Sequence, residues 1–210
     1  MSQVKIGVLV SGGGTNLQAL IDNIDNGNIR GEITVVIANR KNAYGLERAK
    51  NKGIPSVYID RKKFENDIDY DREIIRILDE HNVELVVLAG YLKILSEELI
   101  NKFRNRIINI HPSLIPSFCG KGFYGEKVHK AVLEYGVKIT GATVHFVDYE
   151  TDSGPIILQY TAVVNDNDTV ESLQKRVLDI EHKALTEAVK LFCEGRLNVE
   201  GRNVLINRFS

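Results

Sequence analysis

The sequence contains no tryptophan, one methionine, four prolines and two cysteines in 210 residues. Cys119 and Cys193 allow at most one bridge and show no metal-ligand spacing, which excludes a disulfide framework or a cysteine-based zinc site. They are expected to be reduced thiols. Neither sign of charge is in excess: 27 Lys+Arg face 28 Asp+Glu, for a net charge of −1. No global field therefore recruits nucleic acid or an anionic membrane. No apolar run approaches the ~20 residues that span a bilayer. The chain passes from "MSQ" straight into the strand-like "VKIGVLV", with no basic segment ahead of a cleavable apolar one. These absences predict a cytoplasmic protein with no membrane and no nucleic-acid partner.

What is present is alternation. Short β-rich runs at 4–10, 33–38, 55–59, 84–90 and 106–110 are separated by amphipathic stretches at 16–25, 44–52, 69–81 and 96–103. Several of the runs are apolar throughout, as strands covered on both faces are. In the third amphipathic stretch Ile74, Ile75, Ile77 and Leu78 form one stripe. Strand–helix alternation with right-handed crossovers predicts an α/β fold, a doubly wound and mostly parallel sheet with helices on both faces. Beyond residue 110 the pattern changes. A glycine-rich loop (116–125) leads to a short helix near 126–135, then to two longer strands at 138–148 and 155–164 joined by the polar turn "YETDSG". A long helix is expected over 169–193, with Asp168 as N-cap and Glu171 closing a capping box. The tail, 196–210, can form a hairpin around Glu200-Gly201. No repeat or linker divides the chain, so residues 1–210 are read as one domain.

Between strand one and helix one lies "SGGGTN", Ser11 to Asn16. Glycines let a backbone approach an anion closely, and a helix start supplies unpaired N–H groups and partial positive charge. Three glycines followed by Thr15-Asn16 exceed what a tight turn requires, so a phosphate site is expected here. No Gly-Lys-Ser/Thr triplet occurs, which argues against a Walker loop. The dinucleotide fingerprint wants glycine where Leu17 stands, and an acid after strand two where Asn39-Arg40 stand. That disfavours NAD and leaves NADP open, because Arg40 can meet a 2′-phosphate. A single phosphate on a smaller ligand fits best.

The fifth strand ends in "NIHPS". Asn109 and His111, two apart in an extended segment, can face the same way, and Pro112 holds His111 out of helical geometry. Asn offers a neutral amide donor, and His a donor or proton with an ordinary pKa of ~6.5. Together they suit a developing oxyanion and a moving proton, the needs of acyl transfer. A carboxylate to orient the histidine is sought in "VDYETDSGP", at Asp148 or Asp152. His81, His129, His145 and His182 lie in contexts that suit structural roles better. Neither cysteine has a base in its local sequence, and no thiol nucleophile is expected.

Taken in order across nearly the whole chain, "VLVSGGGTNLQAL", "AYGLERA", "VVLAGYLKIL", "INIHPSLIPSF", "ATVHFVD" and "DSGPIILQ" resemble the phosphoribosylglycinamide formyltransferases, a branch of the folate formyltransferase family. The resemblance implies transfer of a formyl group from 10-formyltetrahydrofolate to the amine of glycinamide ribonucleotide in purine biosynthesis. It implies these two small-molecule substrates, no metal and no tightly bound cofactor, in a monomer or homodimer. It divides the domain into a phosphate-binding half, about 1–100, and a folate-binding and catalytic half, about 101–210. The family's catalytic Asn, His and Asp fall on Asn109, His111 and Asp152, the last because it precedes Ser153-Gly154-Pro155. Asp152 is expected to raise the pKa of a protonated His111. The ribonucleotide phosphate falls on Gly14, Thr15 and Asn16, and its sugar on Glu181. Folate falls on Leu92, Lys93, Ile94 and Leu95, with Asn109, Val147 and Asp148. Asp67 departs from the pattern, standing where the family often has a folate-contacting arginine, which leaves tail contacts to Lys62, Lys63 or Lys93. Two relatives reuse such a domain. Methionyl-tRNA formyltransferase would need a further C-terminal domain and a basic face, and formyltetrahydrofolate hydrolase normally carries an N-terminal regulatory domain.

Overall fold

In the computed structural model, which describes residues 3–207, nine strands form one sheet in the order β3-β2-β1-β4-β5-β6-β7-β9-β8. The strands are β1 (Val4–Val10), β2 (Gly31–Ala38), β3 (Ser56–Tyr58), β4 (Leu85–Leu88), β5 (Ile107–His111), β6 (Ile139–Phe146), β7 (Ile156–Val163), β8 (Leu197–Glu200) and β9 (Asn203–Ile206). The helices are α1 (Thr15–Asp25), α2 (Tyr44–Asn51), α3 (Asp67–Glu80), α4 (Glu97–Lys102), α5 (Glu126–Tyr135) and α6 (Val170–Cys193). The first five strands pair in parallel. β6 then runs antiparallel to β5, and β7 antiparallel to β6. The expected sheet, mostly parallel and flanked by helices, is what forms. The tail hairpin is present as β8–β9, and residues 208–210 of the expected segment lie outside those described.

Alternation within each strand separates two cores, because successive side chains face opposite ways. Ile6, Val8 and Val10 of β1 join Leu17, Leu20, Val177 and Ala184 on the α1/α6 side. Leu9 joins Tyr70, Ile74, Leu78 and Leu99 on the α3/α4 side. In β5 the same rule sends Ile108 and Ile110 to the first core and Ile107 to the second. Asn109 and His111 share parity with Ile107 and so emerge on the α3/α4 side, beyond the end of its apolar layer.

One expectation fails at α6. The N-cap is Thr169, whose side chain accepts from the Ser172 N–H while Ser172 Oγ accepts from the Thr169 N–H. Asp168 is diverted. It accepts from Asn165 N and Ser172 Oγ at 2.8 Å each and pairs with Arg176 at 2.6 Å. The Arg176 hydrogen bond holds its carboxyl well below the usual range. Glu171 is left exposed in the first turn. With Asp168 held by a guanidinium, the next hydroxyl takes the capping position. Among the described residues no helix is long and apolar enough to cross a membrane.

Candidate active site

Register builds the centre of the site. In an antiparallel pair, residues directly opposite share a face, and β5–β6 sets Asn109 against His145 and His111 against Thr143. The His145 Nδ1 lies 2.8 Å from the Phe146 carbonyl, which can only accept, so Nδ1 carries the proton. In the neutral ring Nε2 then accepts from Asn109 Nδ2 at 3.1 Å. This fixes the Asn109 amide with its second N–H still to be used. Thr143 Oγ1 donates to the Ser113 carbonyl at 2.6 Å and accepts from the Ile115 N–H at 3.1 Å. The loop after β5 is thereby tied to β6.

His111 is buried, at 4% exposed. Its Nε2 donates to the Phe118 carbonyl at 2.9 Å, and its Nδ1 lies 3.4 Å from Asp152 Oδ2. The sequence alone left open whether Asp152 reaches this ring; it does. Asp152 Oδ2 also accepts from the Gly120 N–H at 2.9 Å, and Oδ1 lies 3.7 Å from His145 Nε2. Phe118 and Asp152, the residues on either side of His111, both have left-handed backbones, with φ of 51° and 55°. Such values are uncommon for non-glycine residues and concentrate where function constrains the chain. Gly154 lets the Asp152 turn lie against β6, since a Cβ there would fall 1.8 Å from the Phe146 carbonyl oxygen.

Asp152 does pull the His111 pKa upward, as expected, but the net shift is downward. Burial lowers its pKa below the ordinary value; the Asp152 charge and the Phe118 carbonyl pull it upward but do not win. For Asp152, burial raises the pKa, yet the imidazoles of His145 and His111 beside it and the Gly120 N–H together hold it below the usual range. The centre at rest is therefore an ionised carboxylate beside a histidine that burial keeps from holding its second proton.

These groups open into a cavity of about 450 Å³. Leu92, Lys93, Ile94, Leu95, Val147, Asp148 and Glu181 line it together with Asn109, His111 and Asp152. Leu92 and Ile94 are exposed apolar side chains on its wall. Lys62 and Lys63 are not among the lining residues, whereas Lys93 is. Asp148 lines the cavity, but its Oδ1 accepts from the Tyr149 N–H, and Asp152 is the acid beside His111.

The glycine loop adjoins the cavity rather than lining it. Gly14 takes a left-handed φ of 67°, and a Cβ there would come 2.8 Å from the Gly45 Cα, so only glycine fits. Gly45 donates to the Gly12 carbonyl and Arg48 Nε to the Gly13 carbonyl. Asn16, buried at the first turn of α1, donates from Nδ2 to Glu181 Oε2 at 2.9 Å, while its Oδ1 has no protein partner. Burial drives the Glu181 carboxyl up to about 7, the Asn16 hydrogen bond opposing it only in part. Ser11 Oγ accepts from the Leu92 N–H at 2.9 Å and joins the loop to the cavity wall. Among the described residues no group of His, Cys, Asp and Glu is placed to hold a metal ion.

Three residues take roles at the site that their sequence context did not assign. His145 anchors Asn109. His129 of α5 lines the cavity with Nδ1 unpartnered, its pKa lowered by burial to about 4. Ser11 bridges two loops. His145 is visible in sequence only once the β5–β6 register is known; the other two depend on packing that carries no local signal.

A family model described as formyl transferase matches residues 4–189. Phosphoribosylglycinamide formyltransferase of Haemophilus influenzae is 41% identical over 93% of this chain and 90% of its own length. The chain belongs to the phosphoribosylglycinamide formyltransferase branch of the formyl transferase family. The chloroplastic phosphoribosylglycinamide formyltransferase of Arabidopsis thaliana is 44% identical over 92% of this chain. A crystal structure of glycinamide ribonucleotide transformylase 1 from Symbiobacterium toebii superposes with a TM-score of 0.93 at 45% identity, covering 98% of this chain and 94% of that one. The chain spans less than two-thirds of the length of some curated relatives it matches, from 66% down to 14%.

Proposed function

We propose that this formyl transferase moves the formyl group of 10-formyltetrahydrofolate onto the amine of glycinamide ribonucleotide, a step of purine biosynthesis. The observation that carries the reading is the convergence of Asn109, His111 and Asp152 on one cavity, with Glu181 joining that cavity to the glycine loop. On this assignment the ribonucleotide phosphate lies on Gly14, Thr15 and Asn16, at the positive start of α1, and the ribose meets Glu181 and the unpartnered Asn16 Oδ1. The pterin lies against Leu92 to Leu95 with Val147 and Asp148.

The amine attacks the formyl carbon, and the carbonyl oxygen gathers negative charge as the tetrahedral intermediate forms. The free Asn109 N–H meets that oxygen, and the His111 ring, whose Nε2 is held by the Phe118 carbonyl and whose Nδ1 faces Asp152, acts on it through its charge. An oxyanion near His111 raises its pKa as charge develops, so the ring takes a proton from solvent at Nδ1 as the intermediate forms and returns it when the intermediate collapses, which places its stabilising effect mainly in the transition state. The Asp152 carboxylate stabilises the imidazolium and orders a water that carries the proton from the attacking amine to the leaving folate nitrogen. His145 holds the Asn109 amide in orientation throughout. No bound cofactor is required beyond the folate substrate.

The test is formyl transfer from 10-formyltetrahydrofolate, followed by folate absorbance, with and without glycinamide ribonucleotide. Folate consumption that depends on the ribonucleotide is expected. Equal consumption in its absence identifies a hydrolase, and none at all removes the reading.

A further inference from the structure

One lining residue of the cavity, Lys93, belongs to an ion cluster that the transfer chemistry does not use. Lys93, a lining residue only 18% exposed, places Nζ 2.8 Å from Asp67 Oδ1 and 5.3 Å from the centre of the Tyr70 ring. The same Asp67 oxygen accepts from Arg61 Nε, and Arg61 in turn donates to the Phe64 carbonyl at 2.8 Å. One carboxylate oxygen thus bridges two cations from separate segments, as an anionic ligand group would. Asp67 is itself 63% exposed at the first residue of α3, so the cluster runs from the cavity wall at Lys93 to the solvated surface.

The trio carries a net charge of +1. Without Asp67 the same two cations would present +2 to whatever leaves the cavity, and would be free to turn toward it. We infer that Asp67 is a specificity-determining residue that occupies Lys93 and Arg61 from within the chain, so that the site discriminates little among formyl donors by the number of carboxylates on their tails. This inference rests on the proposed reaction, in which the donor's tail leaves the pterin pocket past Lys93. Asp67 does no chemistry. Its effect is on which donors bind, through the field around Lys93.

The experiment compares 10-formyltetrahydropteroate with the monoglutamate and triglutamate forms of the donor, which carry increasing numbers of carboxylates, at fixed ribonucleotide and low salt. For the wild-type chain kcat/KM is expected to vary less than about threefold across the series, as for contacts with an exposed and already neutralised cation. In Asp67→Asn the ratio of triglutamate to pteroate kcat/KM should rise about fivefold, the effect of one further unit charge at ~4 Å in water. The rise should come through KM with kcat unmoved. It should vanish at about 1 M salt, where the screening length is ~3 Å, and on adding Lys93→Met. Asp67→Ser serves as a second variant, removing the charge with a smaller side chain. A ratio that is unchanged or lower in both variants overturns the inference, as does a wild-type chain that already favours the triglutamate tenfold. Absence of turnover by the wild-type chain with every donor removes the proposed reaction instead.

Discussion

Replacing Glu181 by glutamine should make the protein more stable and a poorer binder of the ribonucleotide. The carboxyl is buried on α6, with Asn16 Nδ2 as its hydrogen-bond donor, and burial drives its pKa from the ordinary 4.5 to about 7. A carboxyl whose folded pKa is raised favours the folded state while it is protonated. That contribution is fully present below about 4.5 and is lost as pH rises through about 7. The separation corresponds to about 3 kcal/mol. Glutamine keeps the shape and an acceptor for Asn16, and it cannot ionise. Urea unfolding of both proteins at about pH 5 and about pH 8.5 isolates the effect, because the other titrating groups cancel in the difference. Most of the ~3 kcal/mol advantage of Glu181→Gln should appear between those two values, and little of it at the acid end. Kinetically, loss of the charged acceptor should raise KM for glycinamide ribonucleotide by about tenfold or more. A stability difference that stays flat within about 0.5 kcal/mol across the pH range would refute the electrostatic account of this carboxyl.

Asn109→Ala or Asp152→Asn should lower kcat by ~10²–10³ while thermal melting stays near wild type; near-normal turnover in either removes that residue from the scheme. His145→Phe preserves bulk but releases the Asn109 amide, so kcat should fall by about tenfold with both KM values little changed, as expected when a supporting hydrogen bond is lost. Gly154→Ala pushes a methyl group to 1.8 Å from the Phe146 carbonyl oxygen, and should cost about 1–3 kcal/mol in denaturant unfolding along with activity. Thr169→Ala should cost about 1 kcal/mol, and Glu171→Ala less than about 0.5 kcal/mol, with formyl transfer unaffected in both; the reverse order would return the α6 cap to Asp168 and Glu171.

The parallel half of the fold was legible because its signals are local. The run Val4–Val10 ends at a glycine loop, and the α3 stripe repeats at helical spacing, so element type and order follow from short windows. Asn109 and His111 were legible for the same reason, being two residues apart in an extended segment stopped by Pro112. Asp152 could be narrowed to a turn but not joined to His111, since that contact depends on a left-handed backbone at residue 152 and on the pairing of β6 with β5. His145 was hidden by its own strand. In sequence it reads as one member of an alternating run between Val144 and Phe146, and only the register identifies what it faces. The Asp168 cap misread is instructive in another way. Capping chemistry fits Asp168 and Thr169 equally, and Arg176 decides between them from the helix interior. The depressed His111 pKa was beyond reach for a like reason, since a neighbouring carboxylate is visible in a motif and the extent of burial is not.

The Ser11–Leu92 bond has a consequence for how two substrates share one protein. Ser11 closes β1 at the edge of the glycine loop, and Leu92 begins the wall on which the proposed pterin rests. A donor that displaced this wall would pull on the hydroxyl beside the glycine loop, and a phosphate held there, on the proposed assignment, would resist the displacement. Free energy exchanged through such a link is symmetric: the factor by which the first substrate alters the affinity of the second is returned in full when the order of addition is reversed.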